Sequence, residues 1–260
     1  MRCLPLPWTS MPVVLVLLSA AVSSAAAAPP ASHFLDCHGV KIHYVVQGAG
    51  EPVLLIHGLY SSAALNWQLP GVFGELAKNH RVIALDLPGH GQSDKPENEA
   101  AYGLTIIDDI VSLLDHLNVK RVHVVGYSLG GMIAVKFLVL HPDRAKSGLI
   151  SGMGWFRAGS PLQRFWERIP ERDKQSVPSA FVQKVGQFAV SAEELKQIAI
   201  PVEVIVGECD PVKQLYVAAL RRARPDWPVV EIAGAGHINC ILKPEFRDDI
   251  AAWLRRRSSP

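Results

Sequence analysis

Arg121-Val122-His123-Val124-Val125-Gly126-Tyr127-Ser128-Leu129-Gly130-Gly131-Met132-Ile133-Ala134-Val135-Lys136-Phe137-Leu138 is the stretch on which the reading of this chain turns. An apolar, β-branched run leads in and a helix-like run leads out. Between them, Gly126-Tyr127-Ser128-Leu129-Gly130 makes the G-x-S-x-G pattern of a nucleophile elbow, a sharp strand-to-helix turn bearing a serine. The glycines have a physical job, because a Cβ at either position would collide with the neighbouring strand or helix. The turn pushes the Ser128 hydroxyl clear of the sheet, at a helix N-terminus where developing negative charge is stabilised.

Strand-like and helix-like runs alternate outward from this turn. Strand-like, mostly apolar runs occur at 53–56, 81–85, 122–125, 147–150 (a weaker one), 202–206 and 229–232, with helical periodicity over 106–117, 132–140, 193–198 and 245–254. Continuous apolar strands suit a parallel sheet buried on both faces, and the alternation predicts a doubly wound α/β domain. His33–Cys37 and Lys41–Val46 flank His38-Gly39-Val40 and predict an antiparallel hairpin at one edge. The alternation breaks between 152 and 191, where Trp155, Phe156, Phe165, Trp166, Phe181 and Phe188 lie among prolines and charged residues. That segment is expected to be a small helical insertion, leaving 29–151 and 192–260 as the core.

With 260 residues, 49% hydrophobic and 19% charged, the chain is long enough to build a sizeable core. Its net charge of +2 does not point to nucleic acid as a partner, and Arg255-Arg256-Arg257 reads as a solvated helix end. Residues 1–28 have the layout of a secretory signal peptide: Arg2, an apolar run from Met11 to about Val22, then Ser23-Ser24-Ala25-Ala26-Ala27-Ala28 before Pro29-Pro30. Cleavage is expected near 26–28, with secretion or a periplasmic location as the outcome and no stable membrane span afterwards. An uncleaved membrane tether is the alternative, although the apolar part is shorter than the ~20 residues of a span. Of four cysteines, Cys3 leaves with this segment. Cys209 and Cys240 flank the loops described next, which leaves open either a bridge between them or buried thiols. The ten histidines show no metal-ligand spacing, so neither metal nor cofactor is expected.

Sites in open α/β sheets form beyond the carboxyl ends of strands, which narrows the partners of Ser128. His237, in Gly234-Ala235-Gly236-His237 after the last strand, is the preferred base over His57 and His90. Asp210, after Gly207-Glu208-Cys209 and before a turn-fixing Pro211, is the preferred orienting carboxylate, with Glu208 the near rival. Asp86 is assigned to turn geometry. The backbone N–H groups of Leu129 and Leu59 are the expected oxyanion donors, and losing one such donor typically costs ~3 kcal/mol of barrier. Tyr60, Trp67, Tyr127, Trp155 and Phe156 are candidate pocket walls.

The segments His57-Gly58, Asp86-Leu87-Pro88-Gly89-His90-Gly91-Gln92-Ser93-Asp94-Lys95-Pro96, Gly126–Gly131, Gly207–Pro211 and Gly234–His237 together resemble the α/β-hydrolase superfamily. The resemblance lies with its cap-bearing branch of esterases, lipases and C–C bond hydrolases, and spans nearly the whole chain after residue 28. It implies a mostly parallel sheet with helices on both faces and a short helical cap at 152–191. The serine at the elbow sets the chain apart from haloalkane dehalogenases and epoxide hydrolases, which use aspartate there. The insertion is shorter than the cap usual in that branch, which suggests a more open pocket. The expected activity is hydrolysis of a small-molecule ester of a small or medium apolar acid by Ser128, His237 and Asp210. C–C bond hydrolysis, lactone opening, perhydrolysis, or ligand binding without catalysis are the alternatives.

Overall fold

The structure, a computed structural model, describes residues 30–167 and 177–258. The signal-like segment 1–28 lies outside the described residues. Eight strands form one sheet: β1 (Ala31–Cys37), β2 (Val40–Gln47), β3 (Pro52–Ile56), β4 (Arg81–Leu85), β5 (Val122–Tyr127), β6 (Ala145–Ser151), β7 (Val202–Gly207) and β8 (Val229–Ile232). Their order is β1-β2-β4-β3-β5-β6-β7-β8. β1 pairs antiparallel with β2, and β2 with β4; every other pairing is parallel. The predicted edge hairpin closes through His38 and Gly39, whose φ of 54° and 84° suit the left-handed positions of a tight hairpin turn.

The described residues also hold eight α-helices, besides short 3₁₀ and π-helical turns: α1 (Val72–Leu76), α2 (Thr105–His116), α3 (Leu129–Leu140), α4 (Pro161–Glu167), α5 (Ser179–Lys184), α6 (Ala192–Gln197), α7 (Ala218–Ala223) and α8 (Pro244–Arg257). Residues alternating along each strand enter different cores. Leu54, Ile56, Val124 and Ile150 pack with α2 and α3 on one face, while Leu55, Val125, Leu149 and Ile205 pack with α1 and α8 on the other. That double burial is why the strands read as unbroken apolar runs. α3 is buried from Leu129 through Leu138, so its sequence is apolar all round rather than striped. The chain runs from β3 outward to β4, then returns to β5 on the other side of β3. Loops after β3 and β5 therefore diverge, at the place where open α/β sheets form their sites.

Between β6 and β7 the described residues hold α4, α5 and a short 3₁₀ turn at Val185–Phe188, followed by α6. Ser191 and Glu194 cap α6 reciprocally. Phe181 and Phe188 are buried, and Phe181 meets the rings of His90 and Tyr102 edge-on at 4.8 and 5.5 Å. These two aromatics pack the insertion onto the core. Among the described residues no helix is long and apolar enough to cross a membrane.

Candidate active site

Ser128 sits at the end of β5 with φ 54° and ψ −115°, a conformation that non-glycine residues adopt only when their surroundings enforce it. Its N–H donates to the Ser151 carbonyl at the end of β6, 2.7 Å away. A Cβ on Gly126 would lie 2.1 Å from the Gly130 carbonyl oxygen, and one on Gly130 would lie 2.1 Å from that of Ile56. Both elbow glycines are thus required by contact with backbone.

The Ser128 Oγ lies 2.9 Å from His237 Nε2, and His237 Nδ1 lies 2.8 Å from Asp210 Oδ2. The Asp210 side chain is fully buried and the His237 side chain one-third exposed. The other Asp210 oxygen accepts the Val212 N–H at 2.9 Å. An ionised carboxylate only accepts hydrogen bonds, so Nδ1 carries the imidazole proton and Nε2 presents its lone pair to the serine hydroxyl. Gly207 lets the Asp210 and His237 loops meet, since a Cβ there would lie 2.4 Å from the Ala235 carbonyl oxygen. Glu208 instead accepts the Gly234 N–H at 2.8 Å and fastens the histidine loop.

The rival histidines are occupied elsewhere. His57 donates through Nδ1 to the Gly58 carbonyl at 2.8 Å and accepts the Leu87 N–H at 3.0 Å. Burial lowers its pKa, which keeps the ring neutral. His90 packs against His57 and Phe181; burial first, then the proximity of His57, brings its pKa to about 3. Asp86 accepts the N–H groups of Ala63 and Gln92 and meets His43 Nδ1, at 2.7, 2.8 and 2.8 Å. It joins three segments of loop and strand, as a turn-fixing residue would.

The Leu59 and Leu129 N–H groups have no acceptor among the described residues. The Gly58 N–H beside Leu59 donates to Asn66 Oδ1 at 2.7 Å, so Asn66 shapes this loop. Sequence reading missed Asn66, which carries no motif of its own. Tyr60 is exposed, with φ 59°. Trp67 and Tyr127, candidate pocket walls, are both buried in the core on the α1 and α8 face of the sheet. Phe156 is also buried, edge-on to Tyr216 at 6.1 Å. Trp155 is half-buried and donates from Nε1 to the Val190 carbonyl at 2.9 Å. Ile238, which sequence reading did not single out, is 83% exposed directly after His237. Cys209 and Cys240 are not bridged: the first is exposed while the second is sealed in the core. Burial, reinforced by Asp210, pushes the Cys240 thiol up to about 12. Among the described residues no cluster of three or more His, Cys, Asp or Glu is placed to hold a metal ion.

The family model for the alpha/beta hydrolase fold matches residues 51–193, more than half of the chain. The chain belongs to the α/β-hydrolase family. It is 36% identical over 132 residues to a cis-3-alkyl-4-alkyloxetan-2-one decarboxylase of Shewanella oneidensis, covering 49% of this chain and 40% of the relative. It is 38% identical over 117 residues to a 2-hydroxymuconate semialdehyde hydrolase of Pseudomonas sp. (strain CF600), covering 44% of this chain and 40% of the relative. The matches thus span less than half the length of these curated relatives. A thermophilic esterase from Thermogutta terrifontis, solved with malate bound, superposes with a TM-score of 0.74 at 22% identity, covering 88% of this α/β-hydrolase chain and all of the esterase. That likeness is one of fold.

Proposed function

We propose that this protein is a serine hydrolase that cleaves carboxylic esters of small or medium apolar acids through an acyl-enzyme. The observation that carries the reading is the unbroken relay from Asp210 through His237 to Ser128, with contacts of 2.8 and 2.9 Å. His237 Nε2 takes the Ser128 proton as Oγ attacks the ester carbonyl. Asp210 stabilises the imidazolium that forms. The oxyanion is received by the Leu59 and Leu129 N–H groups, the second at the positive end of α3. His237 returns the proton to the departing alcohol. Water, deprotonated by His237, then attacks the acyl-enzyme, and the acid leaves with Ser128 reprotonated.

The exposed apolar side chains Tyr60, Leu65, Leu215 and Ile238 lie on the connections that follow β3, β7 and β8, Leu65 and Leu215 on short helical turns within them. They favour an apolar acyl or alcohol group over a charged one. A second reading, C–C bond hydrolysis on the same residues, draws on the likeness to the 2-hydroxymuconate semialdehyde hydrolase. Export through residues 1–28 is part of the proposal, since that segment has the signal-peptide layout.

Intact mass after fluorophosphonate treatment tests the nucleophile without a guess about substrate. One adduct on the wild type and none on Ser128→Ala supports the reading; no adduct on a folded wild type refutes it. A series of p-nitrophenyl esters of rising acyl length, run beside a vinylogous 1,5-diketone acid, then separates ester from C–C chemistry. The mature N-terminus, read by mass after expression with residues 1–28 intact, tests export.

A further inference from the structure

Tyr127 holds a position that the proposed mechanism does not use. It is covalently joined to Ser128, and its hydroxyl donates a hydrogen bond to the backbone carbonyl of His237. The residue therefore touches both ends of the serine–histidine contact. Its ring is buried, lies tilted against the His237 ring at 5.8 Å, and is held edge-on by Trp67 at 6.5 Å and Phe246 at 5.8 Å. Gly152 clears space for it: a Cβ there would sit 3.2 Å from the Tyr127 ring and 3.5 Å from His237 Cε1.

The remaining hydrogen bonds of the histidine loop run elsewhere. Gly236 N–H donates to Asn239 within the loop, at 2.7 Å. Gly234 N–H donates to Glu208 at 2.8 Å, and the Cys209 N–H donates to the Ala235 carbonyl at 2.9 Å. These fasten the loop to itself and to the end of β7. Among the described residues, apart from the Ser128–His237 contact itself, the Tyr127 hydroxyl makes the hydrogen bond that spans from the nucleophile strand to the histidine. A loop rich in glycine has many backbone conformations of similar energy, so the geometry of His237 relative to Ser128 depends on such a link.

We propose that Tyr127 is a positioning residue: its hydroxyl tethers the His237 backbone to the nucleophile strand and sets the approach of Nε2 to Ser128 Oγ. The inference rests on the serine-hydrolase reading above. Burial, with the Cys240 thiol and the Asp210 carboxylate adding to it, pushes the phenol pKa up, so the hydroxyl stays protonated and donating across the working pH range. The tether acts on the chemical step, because it joins the nucleophile strand to the base.

The test is Tyr127→Phe, which keeps every ring contact and removes only the donor. Phosphonylation of Ser128 by a fluorophosphonate is followed against probe concentration, which separates the maximal rate from the half-saturating concentration. A displacement on the order of 1 Å at a reacting pair costs up to about 100-fold, and a partial loss of placement is expected to slow the maximal rate about ten-fold. The half-saturating concentration should stay within about two-fold, with a cooperative thermal transition retained. Phe246→Leu serves as the packing control: it loosens the ring but leaves the hydroxyl, and is expected to lower thermal stability while the labelling rate holds. Labelling of Tyr127→Phe at the wild-type rate overturns the tether alone. So does a Phe246→Leu variant slowed as much as Tyr127→Phe, since packing would then be the cause. A folded wild type that takes no adduct overturns the nucleophile assignment itself, and the tether with it.

Discussion

Replacing Gly130 by alanine tests whether the elbow is as tightly enclosed as the structure requires. The new Cβ would lie 2.1 Å from the Ile56 carbonyl oxygen and 2.7 Å from that of His57. The first belongs to the last residue of β3, a strand hydrogen-bonded on both sides by β4 and β5, and the second to the residue just beyond it. No flexible side chain can give way, so α3 must move relative to β3 by roughly 1 Å or more to restore ordinary contact. Overpacking of this kind costs about 1–3 kcal/mol. For a chain of this size about 2 kcal/mol lowers the melting temperature by roughly 4–8 °C. The same shift carries Ser128 away from His237, and a 1 Å misplacement is worth about 100-fold in rate. Phosphonylation should therefore fall by one to two powers of ten in a protein that still folds. The control is Gly74→Ala: its Cβ would meet nothing within 4 Å in α1, so it should be neutral or stabilising by up to ~1 kcal/mol. Urea and thermal unfolding with labelling rates on both variants decide the matter. If Gly130→Ala matches the wild type in midpoint and in labelling, the claim that contact with β3 fixes the elbow is wrong.

Asp210→Asn should keep its oxygen on the Val212 N–H, which turns the amide NH₂ toward His237 Nδ1 and forces the wrong tautomer; maximal turnover should drop by roughly 10³–10⁴-fold with KM little changed. A loss confined to KM would count against the orienting role. His90 has a folded-state pKa of about 3 against 6.5 ordinarily, so the unfolded chain binds its proton first. Its contribution to stability is complete above about pH 6.5 and is lost as pH falls toward 3. Urea midpoints at pH 7.5, 6 and 5 should decline with acid, and His90→Gln should flatten that slope; an unchanged slope would remove His90 from the account. Cys37 and Cys240 are buried, so Ellman's reagent should react with these two thiols only after unfolding. An intact mass lower by that of two hydrogens, restored by reductant, would show a bridge instead.

The legible parts of this chain were those encoded in local pattern. Strands β3 to β7 stand out in the sequence because burial on both faces leaves each a mostly apolar run, edge strand β8 because three of its four residues are apolar, and β1 and β2 because a His38-Gly39 turn joins two β-rich segments. The elbow reads from five residues because contact with backbone allows only glycine at 126 and 130. His237 and Asp210 read from their places after strand ends, where an open α/β sheet gathers its site. Shortness alone did not hide a helix, since six-residue α6 reads from 193–198, but α1 (Val72–Leu76) and α7 (Ala218–Ala223), which start without a side-chain cap, were missed.

The sequence by itself therefore determined the order of strands and helices along the chain, the strained turn, and which loops could carry chemistry. Tertiary structure alone decided which way side chains on those loops face. Trp67 and Tyr127 look like pocket walls from their neighbours, yet both enter the core: Tyr127 ends β5, where a period of two does not say which of two covered faces a side chain enters, and Trp67 lies on a helical turn at Ala64–Gln68. The same holds for Cys209 and Cys240, close to one site in sequence terms but placed in solvent and in the core. Asn66 and the Tyr127 hydroxyl acquire their roles from segments that meet only after folding: Gly58 in one case, His237 in the other. A hydrogen bond between residues 110 positions apart leaves no local pattern to read, since its partners are brought together by the packing of the whole sheet.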